Sequence, residues 1–375
     1  MSDISSPIRV LIVDDSIVIR GFIVRILEQD SIFSVAATAS NGLKAIEFLK
    51  NNTVDVIILD IEMPVMDGLE AIPKIKELDS FAQIVMASTL TQKNAEISIK
   101  ALSLGATDYI PKPSSLEISH VTDFKRELRD KVEAIGRAAQ AKRSKALEIA
   151  KQKDVVVRRD ASAVPVFKTG KDIVLRPMSP LFVPSVIAVG SSTGGPQAVL
   201  ELIKSIHQSI RQPVVITQHM PPSFTTIFAD NIKKQFSVNC CEAQDGQVLE
   251  AGGYYVAPGD YHMLFVKQQS NVVIKLTKDP KENFCRPAVD PMIRSLVSVF
   301  GSKVLAVILT GMGYDGLKGS QVLADAGGVV ISQDEASSVV WGMPGAVAGA
   351  GLSSAVLPLN DLGRMLIKIA KGGQK

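Results

Sequence analysis

A serine, a histidine and an aspartate can hydrolyse an ester together, and this 375-residue chain sets one of each directly after an apolar, strand-like run. The run at 186–189 enters Gly190-Ser191-Ser192-Thr193-Gly194-Gly195-Pro196, the run at 213–217 ends in Gln218-His219, and the run at 304–309 ends in Thr310-Gly311-Met312-Gly313-Tyr314-Asp315-Gly316. A serine hydroxyl is a poor nucleophile until a base takes its proton, and the base works best when an acid fixes its tautomer. Ser192, His219 and Asp315 fit those three roles. Glycines let the Ser192 loop turn tightly, and Pro196 suits the first turn of a helix, so the loop's amides face a crevice that favours negative charge.

Phosphate binding in a dinucleotide fold is the competing use of such a loop. The spacing here is G-x-x-x-G-G rather than G-x-G-x-x-G, and the next strand ends in His219 instead of an acid for a ribose, so that use is disfavoured. Of the four histidines, His120 falls in a linker helix, His207 near a helix end and His262 in a hairpin after Pro258-Gly259-Asp260. His262 is the weaker candidate base. Asp315 has a plainer alternative as an Asx turn capping the following helix. The order Ser, His, Asp and the lack of a G-x-S-x-G elbow argue against the α/β-hydrolase arrangement.

A second group of chemical residues lies near the N-terminus. Asp14 and Asp15 follow a first strand, Asp60 a third, Ser88 a fourth and Lys112 a fifth, and in an open parallel sheet such carboxyl ends converge on one crevice. Clustered carboxylates repel, and a hard cation such as Mg²⁺ relieves that while leaving positions for phosphate oxygens. Asp60 then suits a nucleophile that accepts a phosphoryl group, with Lys112 balancing charge, Ser88 donating to the phosphate and Tyr109 changing rotamer.

The elements that position these residues alternate. Runs at 8–13, 54–59, 83–87 and near 108–110 are separated by helical patterns at 16–28, 41–51 and 67–78, which demands a parallel sheet with crossover helices. The expected fold is α/β: a flavodoxin-like unit with a five-stranded parallel sheet, then a Rossmann-like α/β domain with an antiparallel β-hairpin over 254–278. The domains are expected at 1–125 and 183–375, with a linker at 126–182 that is helical and then extended and mobile.

A net charge of +3 from 41 basic and 38 acidic side chains gives no overall field for nucleic acid or an anionic membrane. Three cysteines without CxxC spacing suit a reduced compartment, and no apolar run approaches the about 20 residues that span a bilayer. A soluble, unprocessed, cytoplasmic protein without membrane insertion is expected.

LIVDDS, LDIEMPVMDG, MAS and DYIPKP closely resemble response-regulator receiver domains over most of 8–116. IAVGSSTGGP, VVITQHMPPSFT, YVAPGDYHM, CRPAVDPM, VILTGMGYDG and WGMPGAV resemble the catalytic domain of chemotaxis protein-glutamate methylesterases. The resemblance implies phosphorylation at Asp60, Ser88 and Lys112 as switch hydroxyl and lysine, and Mg²⁺ held by Asp14, Asp15, Asp60 and the backbone of Glu62. It further implies a Ser192, His219, Asp315 triad, the Met312 backbone N–H as an oxyanion donor, and no cofactor for the esterase step. Ser191 stands where that family usually has alanine, a second hydroxyl beside the nucleophile.

The implied function is hydrolysis of glutamyl methyl esters on the cytoplasmic helices of chemoreceptors, with glutamine deamidation, under control of a chemotaxis histidine kinase. The receiver is expected to cover the esterase crevice until it is phosphorylated. A DNA-binding output would be a compact basic helical module, which a long glycine-rich α/β domain is not. Two rivals to the esterase reading are a receiver-linked binding domain without enzymatic activity and a response regulator serving a non-motility array.

Overall fold

The computed structural model describes residues 6–88, 92–112, 118–156 and 173–372. They form two compact units. In the first unit the order is β1 (Ile8–Val13), α1 (Ile17–Leu27), β2 (Phe33–Ala39), α2 (Gly42–Leu49), β3 (Val56–Asp60), α3 (Gly68–Leu78), β4 (Gln83–Ser88), α4 (Gln92–Ser103), β5 (Asp108–Pro111) and α5 (Ile118–Val156). All strand pairs are parallel, in the order β2-β1-β3-β4-β5. Central β3 is buried along its whole length, as a parallel strand covered on both faces must be. Ser16, Asn41 and Asp67 cap α1, α2 and α3 with their side chains.

Strand β2, which the alternation requires but does not locate, is Phe33–Ala39. Its sequence FSVAATA carries small and polar residues, and only its two ends are fully buried. Residue 125 falls inside α5. That helix stays on the first unit well beyond it: Phe124, Leu128, Val132, Ile135 and Ala139 are buried, Gln140 Nε2 donates to Asp55 Oδ2 at 2.9 Å, and Arg143 pairs with Asp79 at 2.7 Å.

The second unit runs β6 (Val186–Ser191), α6 (Gly195–Ile206), β7 (Val214–Gln218), α7 (Phe224–Phe236), β8 (Cys240–Glu242), β9 (Tyr254–Val256), β10 (His262–Gln268), β11 (Asn271–Thr277), α8 (Val289–Phe300), β12 (Val304–Ile308), α9 (Leu317–Asp325), β13 (Val329–Gln333), α10 (Met343–Gly349), β14 (Ala355–Leu357) and α11 (Leu359–Ala370). Seven strands form a parallel sheet in the order β14-β13-β12-β6-β7-β9-β8. Its core joins Val186, Ala188, Val304, Ala306 and Ile308 from the central strands to Met292, Ile293 and Leu296 of α8.

The antiparallel hairpin is present but shorter than 254–278. It pairs only β10 with β11, from His262↔Thr277 to Gln268↔Asn271, while Tyr254–Val256 joins the parallel sheet beside β7. The alternating apolar residues lie in the hairpin arms, and the continuous apolar run at Tyr254 belongs to a strand buried on both faces.

Of the linker, 157–172 lies outside the described residues. Residues 173–182, expected to be mobile, carry no helix or strand, yet Arg176 N–H donates to Ser353 O at 2.9 Å, which ties the segment to the second unit. Backbone pairing leaves no periodicity when only single bonds are made.

Candidate active site and phosphoacceptor pocket

In the second sheet the chain order reverses at β6, which has β7 on one side and β12 on the other. Such a switch point opens a crevice beyond the carboxyl ends of the strands. Register fixes what meets there: Gly190 lies opposite Ile308 on one side and Thr217 on the other, and Ser191 opposite Gln218. The next residues out are Ser192 and His219, and Thr310 leads the third loop. His219 N–H donates to Ser191 O at 3.2 Å, and Ser192 N–H to Thr310 O at 3.1 Å.

Two glycines are demanded by geometry. Gly194 caps α6 with φ +74°, and a Cβ there would lie 2.5 Å from Val339 Cγ2. Gly311 lets the Thr310 loop press on the nucleophile loop: its Cβ would lie 2.9 Å from Ser192 Cβ and 2.3 Å from Met343 Sδ.

His219 Nε2 donates to Asp315 Oδ2 at 2.8 Å. Asp315 is buried, and its carboxylate also accepts from Val289 N–H (2.7 Å), Asp290 N–H (3.1 Å), Asn283 Nδ2 (3.0 Å) and its own Gly316 N–H (2.9 Å). Helix α8 has no cap of its own, because Ala288 offers no side-chain acceptor. Asp315 therefore caps α8 from a distance, not the following helix α9. Burial opposes its charge, but the hydrogen bond and charge of His219 and the two α8 amides hold its carboxyl below the usual aspartate value.

Nδ1 is the remaining ring nitrogen of His219, and Cys285 Sγ stands 3.3 Å from it. Among the described residues no hydrogen bond joins Ser192 Oγ to the ring, so imidazole and carboxylate are linked while the serine stands beside them unlinked. Burial pulls the His219 pKa down, but the neighbouring Cys285 and Asp315 outweigh it and push it up to about 10. Sequence reasoning assigned no role to Cys285, Asn283 or Asp290. The CRPAVDPM string held two of them, without a sign of what they touch.

The neighbouring hydroxyl has a different employment. Ser191 is fully buried, and its Oγ donates to Gln218 Oε1 at 2.6 Å, while Gln218 Nε2 donates to Ser192 O at 3.0 Å. Ser192 is half-buried. Met312, also half-buried, has an N–H that bonds to no acceptor among the described residues.

The other histidines are accounted for structurally. His262 is buried with both ring nitrogens engaged, Nε2 on Pro280 O at 3.1 Å and Nδ1 accepting from Ala288 N–H at 3.3 Å. His207 caps α6 through Nδ1, 3.1 Å from Ile203 O. The His120 side chain lies outside the described residues.

In the first unit Asp60, Ala87 and Ile110 are level across β3, β4 and β5, so Asp60, Ser88 and Lys112 emerge at one rim. Lys112 Nζ bridges Asp14 Oδ2 at 2.7 Å and Asp60 Oδ1 at 2.8 Å. Burial raises the Asp60 pKa although Lys112 opposes it. Ligand oxygens of Asp14, Asp15 and Asp60 lie within 4.8 Å of one another, a set of hard donors that fits Mg²⁺. Glu62 is exposed on the same loop, two positions past Asp60. Ser88 is buried, and Tyr109 is buried beneath Lys131 of α5, whose Nζ lies 5.1 Å from its ring centre and donates to Tyr109 O at 2.7 Å.

Comparison with known families agrees with this division. Residues 10–120 match the response regulator receiver domain and residues 187–366 the CheB methylesterase family. A protein-glutamate methylesterase/protein-glutamine glutaminase of a group 2 operon in Rhodospirillum centenum is 52% identical over 98% of this chain and 95% of its own. One from Azospirillum brasilense is 51% identical over 97% of this chain and 93% of its own. A crystal structure of the Thermotoga maritima CheB methylesterase catalytic domain is 38% identical, with a TM-score of 0.48, covering 49% of this chain and 98% of that one. At such identity over nearly its whole length, the chain belongs to the family of receiver-linked protein-glutamate methylesterases/protein-glutamine glutaminases.

Proposed function

We propose that the chain hydrolyses glutamyl methyl esters on chemoreceptors, deamidates glutamines on the same receptors, and is controlled by phosphorylation of Asp60. The hydrogen bond from His219 Nε2 to Asp315 Oδ2, at a strand end level with Ser192, carries this reading. With Nε2–H committed to Asp315, the free lone pair of the neutral ring is on Nδ1, which is the base for Ser192 Oγ. Ser192 attacks the ester carbonyl as His219 takes its proton. The Met312 N–H stabilises the oxyanion, and the leaving methanol takes the proton back. Water, deprotonated by the same ring, then hydrolyses the acyl-enzyme to a free glutamate. An amide passes through a similar tetrahedral intermediate, which extends the machinery to glutamine. The names of relatives about half identical over nearly all of their length support both activities.

In the first unit, Asp60 is the phosphoacceptor, with a histidine kinase of the chemotaxis type as donor. Asp14, Asp15, Asp60 and the Glu62 backbone would hold Mg²⁺, which balances charge on the phosphoryl group when bound. Lys112, already bridging Asp14 and Asp60, meets the transferred phosphate, and Ser88 donates to it.

The test is release of labelled methanol from methylated receptor membranes. Ser192→Ala is expected to lower the rate by on the order of 10³-fold or more, and a rate equal to the native one overturns the reading.

A further inference from the structure

Asp315 takes one nitrogen of His219, and what occupies the other is therefore decisive for a base. Cys285 Sγ lies 3.3 Å from Nδ1, the atom that has to receive the Ser192 proton. The thiol is held there by its surroundings. Cys285 and Glu282 exchange two backbone hydrogen bonds, of 2.8 and 3.2 Å. Asn283 Nδ2 reaches both Asp315 Oδ1 and Asp290 Oδ2 at 3.0 Å, and the Arg286 guanidinium grips Asp260 at 2.6 Å. Cys240 and Cys241 have no such partner: the first is buried, and the second meets the Gln247 amide at 3.3 Å.

We infer that Cys285 is a positioning residue for the catalytic base: its thiol occupies His219 Nδ1 in the resting enzyme, and Nδ1 passes to Ser192 Oγ when substrate enters. The inference rests on the serine-esterase reading above. It accounts for the serine standing unlinked beside a ring already paired with its acid. In the resting pair the thiol donates to Nδ1, and moving that proton breaks S–H, forms N–H and leaves a thiolate beside an imidazolium, with no other atom or electron exchanged. A ring in that state cannot accept from Ser192, so the proton must return to sulfur or be lost first.

The charged groups facing the ring are few. Asp315 lies across Nε2 and Cys285 across Nδ1. Behind Asp315 stand Asp290, bridged to it by Asn283, and the Arg294–Glu282 ion pair. Cys285 is also the largest influence raising the pKa of His219, so removing it frees the base at lower pH.

The experiment follows kcat and KM against pH for hydrolysis of methyl-labelled receptor membranes by the full chain with acetyl phosphate and Mg²⁺. Cys285→Ala is expected to move the acidic limb of kcat/KM to lower pH by about one unit or more, with KM unchanged. Cys285→Ser, which keeps a hydrogen bond to Nδ1 but does not ionise, is expected to move the limb likewise. It decides the matter alone if the alanine variant does not fold. An acidic limb that stays in place in the folded variants overturns the inference. Ser192→Ala separates the two levels: if it retains native activity the esterase reading falls and this inference with it, whereas an inactive Ser192→Ala with an unmoved limb removes the role of Cys285 alone.

Discussion

Two adjacent serines, the last residue of β6 and the first of the loop after it, are separated by burial. Ser191 is fully buried against Gln218, and Ser192 is reachable. Ser191→Ala is therefore expected to keep esterase activity within a few-fold while costing about 1 kcal/mol in denaturant unfolding. A loss of activity as deep as that of Ser192→Ala would make Ser191 the nucleophile. Asp315→Asn should be severe, on the order of 10⁴ in kcat, because an amide no longer fixes the tautomer of His219. Because the folded Asp315 carboxyl ionises more readily than in the unfolded chain, its contribution to stability is complete above the unfolded value of roughly 4 and is lost as pH falls through the folded value. In acid titrations of stability, Asp315→Ala should flatten the slope below about pH 4; an unchanged slope would count against the carboxylate's role as the α8 cap. That Ser192, His219 and Asp315 come to one rim of the sheet was legible because each closely follows an apolar run, in a glycine-rich or histidine-bearing turn. Cys285 and Asn283 were not, because they come from an irregular loop, and what they touch depends on tertiary contacts alone.

At the scale of elements, the switch point at β6 explains why three distant loops share one crevice. None of α6, α7, α8 and α9 is capped by the side chain of its own N-cap residue; Asp315 caps α8 from the third loop, and Thr310 and Gly311 at the head of that loop are hydrogen-bonded to neighbouring segments. Gly194→Ala places a Cβ on a left-handed residue 2.5 Å from Val339, and is expected to lower activity at least tenfold while leaving receiver phosphorylation intact. In the first unit, burial holds the Asp60 pKa up, so its ionised form opposes folding at neutral pH until a cation compensates. Mg²⁺ should accordingly raise the melting temperature of that unit, and Asp14→Ala should abolish the rise; a rise that survives would place the cation elsewhere. The apolar runs of β1, β3 and β4 were readable from composition and length. Short strands β8 and β14, of three residues each, carry no period to read, and β2 hides among small residues.

For the whole molecule, the sequence's two α/β units are both present, and among the described residues no helix is long and apolar enough to cross a membrane. The expected boundary at residue 125 lies inside α5, which is continuous to Val156, and its polar residues Gln140 and Arg143 go on contacting the first unit after the apolar face thins. Regulation links the two chemistries: if the receiver restrains the esterase, removing residues 1–150 should raise basal hydrolysis by a folded fragment, and an unchanged rate would argue that phosphorylation acts otherwise. The most direct single measurement is methanol release from methyl-labelled receptor membranes, with and without acetyl phosphate, by the native chain, Ser192→Ala and Asp60→Ala. The account predicts release that acetyl phosphate stimulates in the native chain, no stimulation in Asp60→Ala, and none above background in Ser192→Ala. Release by Ser192→Ala at the native rate would contradict it.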